Sequence, residues 1–275
     1  MTSREFALGW ASVLGLVAAA VLFVCRPPDR VEIDLPDADI VFVGSSVMAH
    51  AIPQYAGPET AIISGKTHFR VGLAGARQQE LIDLLEDAIA QQPELVVIEI
   101  NPFLLEFNEA HALHQPHPDI LGEATRLLAL ARSNARGRLK PLVGTDNRRA
   151  VAVGIVDAPP GPQDYSQAQR IYPIRLLPLA PDPALTEQLA AAEQRGVAVA
   201  FMLPPRSAAG TEMVGPETSR ALAANAQTFA QTTQSELIDF GSGWDDELYV
   251  DFGHFNNVGR DRFIERFNRW YAERP

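Results

Sequence analysis

"PELVVIEINP", residues Pro93 to Pro102, decides the fold. Leu95 to Ile98 are apolar without a break, and only then do Glu99, Ile100 and Asn101 follow. A strand with one face in water alternates apolar and polar residues. A strand without that alternation is covered on both faces, which is the habit of parallel sheets flanked by helices. The prolines at either end fit a short strand, because neither can donate to a ladder.

The same rhythm extends outward on both sides. "DIVFVGSS" (Asp39 to Ser46) and "FRVGLAG" (Phe69 to Gly75) read as two earlier strands, each running into glycine. "RQQELIDLLEDAIAQ" places Leu81, Leu84, Leu85, Ala88 and Ile89 at helical spacing. Downstream, "PALTEQLAAAEQRG" and "ETSRALAANAQTFAQTTQ" read as helices, and "VAVAFMLPP" and "ELIDF" as strands. A last helix is expected from Asn257 to about Tyr271. Strands alternating with helices predict a three-layer α/β/α sandwich, flavodoxin-like, around a mainly parallel five-stranded sheet.

The middle of the chain breaks the pattern. From about 103 to 182 it is rich in Pro, Gly and Arg, with one expected helix across "DILGEATRLLALARSNAR" (119–136). That is too long for a plain connection and reads as an insertion or lid. At the other extreme, "ALGWASVLGLVAAAVLFVC" (Ala7 to Cys25) carries no charge. Its length matches the ~20 residues that cross a bilayer as a helix. A cleaved signal peptide is the alternative. Against it, the apolar run is long for such a peptide and no small-residue cleavage site closes it. The expected organisation is an anchor and linker over 1–30 and one domain over 31–275. Arg4 opposes Arg26 and Arg30, so charge does not set the orientation.

Composition narrows the function. The net charge is −11, from 23 basic and 34 acidic residues, and no basic stripe offers a nucleic-acid surface. A single cysteine, Cys25, excludes an intrachain disulfide. No cofactor motif is present. His111, His114 and His117 have a quasi-regular spacing. Pro116 and Pro118 break a helix there, and no acidic ligand accompanies them, so a solvated or substrate-contacting loop is the better reading than a metal site.

In open α/β sheets, ligands gather at the carboxyl ends of the strands. At those ends lie Gly44-Ser45-Ser46, Gly75, Glu99 with Asn101, Arg206, and the loop Asp251-Phe252-Gly253-His254. Each has an ordinary explanation: a serine caps a helix, a glycine relaxes a turn, an Asn braces a loop. Together, and in this order, they resemble the SGNH (GDSL-like) hydrolase superfamily. The family's blocks are G-x-S, a Gly, an Asn and D-x-x-H. Asn256 and Gly259 extend the match, which covers short blocks from Asp39 to the C-terminus and skips the insertion.

The resemblance implies Ser46 as nucleophile, His254 as general base and Asp251 as its orienter. It also implies an oxyanion hole from the N–H of Ser46, the N–H of Gly75 and the side chain of Asn101. Ser45 is the rival nucleophile. Glu99, Arg206 and His50 are candidate substrate contacts. His50 could equally be a capping or surface residue, Arg206 a surface ion pair, and Glu99 a partner of Arg77 or Arg206. Three departures stand out: Ser45 in place of an acid, Glu99 in place of a glycine, and Pro102 after Asn101. They resemble membrane-anchored members linked to acylation of envelope and exopolysaccharide glycans. The implied activity is a serine esterase or O-acyltransferase on acyl esters of such a glycan, held outside the cytoplasm, in the periplasm or beyond. The alternative is a degenerate domain that binds glycan or scaffolds an envelope assembly. Glu99 favours that alternative, since a carboxylate beside an oxyanion hole opposes the charge it must stabilise.

Overall fold

The computed structural model describes residues 35–56, 63, 65–73, 75–107, 157–166 and 174–274. Among them, five parallel strands form the sheet predicted from the apolar runs. They are β1 (Ile40–Ser45), β3 (His68–Leu73), β4 (Leu95–Glu99), β7 (Ala198–Leu203) and β8 (Glu236–Asp239). A sixth strand, β2 (Tyr55–Ala56), pairs antiparallel with β3 at one edge, giving the order β2-β3-β1-β4-β7-β8. Two residues are too few for a periodicity, so the sequence held no sign of β2.

The helices are α1 (Ser46–Ala51), α2 (Gln78–Ala90), α3 (Asn101–Leu104), α4 (Pro183–Gln194), α5 (Ala208–Val214), α6 (Pro216–Thr232) and α7 (Asn257–Ala272). Strand alternation divides the core in two. Val41, Val43, Val96, Ile98, Phe201 and Leu203 point to one face and pack with Leu81, Leu84 and Leu85 of α2, Leu185 of α4 and Phe229 of α6. Ile40, Phe42, Leu95, Val97, Ala200 and Met202 point to the other, against Met48 of α1 and Phe263 and Phe267 of α7. Both faces are therefore dry, as the unbroken run in β4 requires. Truncating a fully buried Leu84 or Leu85 to alanine costs about 2–5 kcal/mol by the usual cavity arithmetic.

The ends of the 103–182 stretch are stitched together. β5 (Leu105–Glu106) pairs antiparallel with β6 (Arg175–Leu176), and Leu177 N–H donates to Leu104 O at 2.8 Å. The expected helix over 119–136, His111, His114 and His117 lie outside the described residues, as does Ala7 to Cys25. Among the described residues no helix is long and apolar enough to cross a membrane.

Candidate active site

The chain turns sharply at the end of β1. Ser45 is the N-cap of α1, and its hydroxyl accepts from Val47 N–H at 3.2 Å. Capping holds the first turn of a short helix in place. It also occupies Ser45 and leaves Ser46, the first helical residue, as the hydroxyl turned to the C-terminal loop. Ser46 Oγ lies 2.8 Å from His254 Nε2. His254 Nδ1 lies 2.7 Å from Asp251 Oδ2. A carboxylate only accepts, so Nδ1 carries the proton and Nε2 is free to accept from Ser46. Three residues separated by up to 208 positions thus form one continuous hydrogen-bonded chain.

Asp251 also builds its own loop. Its Oδ1 accepts from the N–H groups of Gly253 and His254, each at 2.8 Å. Burial works against its charge. The bond from the His254 ring, the charge that ring can carry and the two backbone donors outweigh burial and hold the carboxyl below its ordinary value. Beyond the loop, Asn256 caps α7 by accepting from Val258 and Gly259 N–H at 3.0 Å, and its amide donates to Glu247 O at 2.6 Å.

A strap from the 157–166 segment brackets this loop. Asp164 N–H donates to Val250 O, and Asn257 N–H donates to Ala158 O, both at 2.8 Å. The Asn257 side chain accepts from Ala158 N–H and donates to Asp157. Sequence reading missed this strap. Its residues have no periodicity, and their partners lie about a hundred positions away.

The oxyanion candidates occupy neighbouring strand ends. Gly75 follows β3 with φ +64°, a conformation that disfavours any side chain, and the space before it is open. Asn101 follows β4 and is 7% exposed. Its Nδ2 donates to Glu99 Oε1 at 3.2 Å, and its Oδ1 accepts from Arg206 at 3.4 Å. Glu99 is 2% exposed, and its Oε2 accepts from Ser45 N–H at 2.7 Å. The carboxyl of Glu99 thus turns under the nucleophile turn, and Arg206 reaches Asn101.

His50 is neither a cap nor a plain surface residue. Its ring lies 4.7 Å from that of His254 at 47°, and Nδ1 donates to Phe255 O at 2.9 Å. Burial first, then the nearby His254 and Arg70 charges, lower its pKa to about 4. His68, buried in β3 with Nε2 on Pro53 O, falls to about 4 by burial as well. Both rings are neutral in the folded protein above that pH, while their unfolded value is 6.5. Between these values the unfolded chain binds protons that the folded chain refuses. Stability is therefore full above pH 6.5 and drains away towards pH 4, by about 3 kcal/mol per ring. Urea midpoints at pH 7 and pH 4.5 should differ accordingly. His68→Gln should shrink the gap; an unchanged gap would assign the loss to other groups.

Among the described residues no group of three or more His, Cys, Asp or Glu side chains is placed to hold a metal. No protein-family model and no curated relative matches the sequence. Solved structures similar in fold include a Bacteroides fragilis protein assigned as an acylhydrolase, at 12% identity and TM-score 0.43, over 91% of this chain and 94% of that one. An acetylxylan esterase from Geobacillus stearothermophilus, crystallised as a catalytic mutant, aligns at 13% identity and TM-score 0.42, over 86% and 94% of the two chains. These likenesses are distant, and the chemistry is argued from the residues themselves.

Proposed function

We propose that this chain is an SGNH-type serine hydrolase that forms an acyl-enzyme on Ser46. The observation that carries the reading is the unbroken chain Ser46–His254–Asp251 at 2.8 and 2.7 Å, placed at the carboxyl edge of the sheet. His254 Nε2 takes the hydroxyl proton as Ser46 Oγ bonds to the ester carbonyl carbon. Asp251 fixes the tautomer and stabilises the imidazolium. The tetrahedral oxyanion lies against the N–H groups of Ser46 and Gly75 and the amide of Asn101. Collapse expels the alcohol, which leaves with the proton from His254. Water, or a sugar hydroxyl in a transferase, then repeats the sequence and releases the acyl group.

Two observations weigh against a degenerate domain. The nucleophile and base are already within hydrogen-bond reach, and the Glu99 carboxyl is engaged by Ser45 and Asn101. The substrate we propose is an acyl ester on an envelope or exopolysaccharide glycan, supported by the departures at Ser45, Glu99 and Pro102. We assign residues 7–25 as an anchor that holds the domain outside the cytoplasm, supported by the uncharged run there. Carbonate extraction of membranes carrying the full chain tests that assignment; release into the supernatant would refute it.

Hydrolase and transferase separate in one assay. A hydrolase turns over p-nitrophenyl acetate in buffer alone, whereas a transferase accelerates on addition of an acceptor glycan. Failure of a fluorophosphonate to label the folded wild-type protein would overturn the serine mechanism. Asn101→Ala should lower kcat by about 10²- to 10³-fold, the usual cost of one oxyanion donor. An unchanged kcat would remove Asn101 from the hole.

A further inference from the structure

Glu99 is a buried acid that the serine reaction, as set out above, does not use. The fold makes deliberate room for it. Glu99 and Gly44 stand on the same face of adjacent strands, β4 and β1. A Cβ on Gly44 would lie 2.9 Å from Glu99 Oε2, 3.1 Å from Glu99 Cβ and 2.7 Å from Met48 Cβ. Those approaches are closer than side-chain carbons tolerate, so a side chain at position 44 and this carboxyl exclude each other.

Three donors converge on the carboxyl: Ser45 N–H at 2.7 Å, the Ser45 hydroxyl, and Asn101 Nδ2–H at 3.2 Å. Ser45 immediately precedes the nucleophile. Asn101 carries the side-chain donor of the oxyanion hole. One carboxyl therefore ties the nucleophile turn to the Asn101 amide, across two strands and 54 positions of sequence.

The far end of the same amide is also read. Asn101 Oδ1 accepts from Arg206 Nη2 at 3.4 Å. An acceptor at Nδ2 and a donor at Oδ1 specify one orientation of the amide. Rotated by half a turn, its oxygen would face the Glu99 carboxyl and its nitrogen the Arg206 guanidinium, both repulsive. Only in the observed orientation does Nδ2 keep a second proton for a substrate oxyanion.

We infer that Glu99 is a positioning residue that, through Ser45 and Asn101, sets the oxyanion donors before substrate arrives. The inference rests on Ser46 being the nucleophile. Burial pushes the Glu99 carboxyl up, and the donors from Ser45 and Asn101, with the His254 charge, pull against it. The acid that seemed to oppose an oxyanion is thereby spent on orienting a donor.

Glu99→Gln keeps the size but puts an N–H₂ group where an acceptor is needed, against either Ser45 N–H or Asn101 N–H₂. It should lower kcat for p-nitrophenyl acetate by about 10- to 100-fold, a part of what a missing donor costs, and leave KM unchanged. In an Asn101→Ala background the same substitution should cost less than about threefold, because the group it acts through is gone. Equal costs in the two backgrounds would overturn the inference, as would a lowered melting temperature with wild-type kcat. If Glu99→Gln does not fold, Glu99→Asp replaces it: the shorter carboxylate cannot span both partners, and the same non-additivity is required. Fluorophosphonate labelling of wild-type Ser46 separates the two levels. Absent labelling ends the serine reading and this inference with it. Normal labelling with additive costs ends the inference alone.

Discussion

Ser46→Ala is expected to abolish covalent labelling by a fluorophosphonate and to lower ester turnover by about 10⁴- to 10⁶-fold, the range seen when a serine nucleophile is removed. The fold should survive. Ser46 is the first residue of α1, where alanine is an excellent helix former, and the cap is supplied by Ser45. Ser45→Ala is the matched control. It removes the cap, at a cost of about 1 kcal/mol in stability, and should still form the adduct. Mass spectrometry of the labelled protein decides between the two serines. An adduct that persists in Ser46→Ala would transfer the nucleophile elsewhere.

The second large effect belongs to Asp251. Asp251→Asn should lower kcat by about 10⁴-fold, because an amide nitrogen opposite His254 Nδ1 selects the wrong tautomer. Its remaining oxygen can still accept from Gly253 and His254 N–H, so melting should change little. Asp251→Ala removes those acceptors too. It should match the catalytic loss and add about 1–3 kcal/mol of destabilisation from the orphaned donors. Equal stabilities for the two variants would show that the loop does not depend on Oδ1. The pH dependence has a definite sign. A carboxyl held below its ordinary value contributes stability at all pH values above its unfolded pKa, 3.8. That contribution fades as acid carries the protein down through the lower folded value.

Much of this site was legible from sequence because its residues sit where strands stop. β1, β4 and β7 announce themselves by unbroken apolar runs, and the residues after them face one edge by construction. Asp251 and His254 share one loop, so their spacing of three is visible directly. What escaped was contact at long range. The role of Glu99 depends on Ser45, 54 positions away, and a carboxylate next to an oxyanion donor reads as an obstacle until its partners are known. His50 reads as a helix or surface residue because nothing local reveals the His254 ring at 4.7 Å. The strap at 157–166 is aperiodic, and its bonds to Val250 and Asn257 leave no imprint on its own sequence. β2 is too short to show a period.

That strap sets a limit on shortening the protein. Val250 and Asn257 lie on either side of the imidazole, and each is fastened to the strap by a backbone bond of 2.8 Å. A redesign that trims the middle of the chain can approach Asp157 from the N-terminal side. Cutting past it would unfasten the arm that presents the base, and activity would fail well before the sheet did.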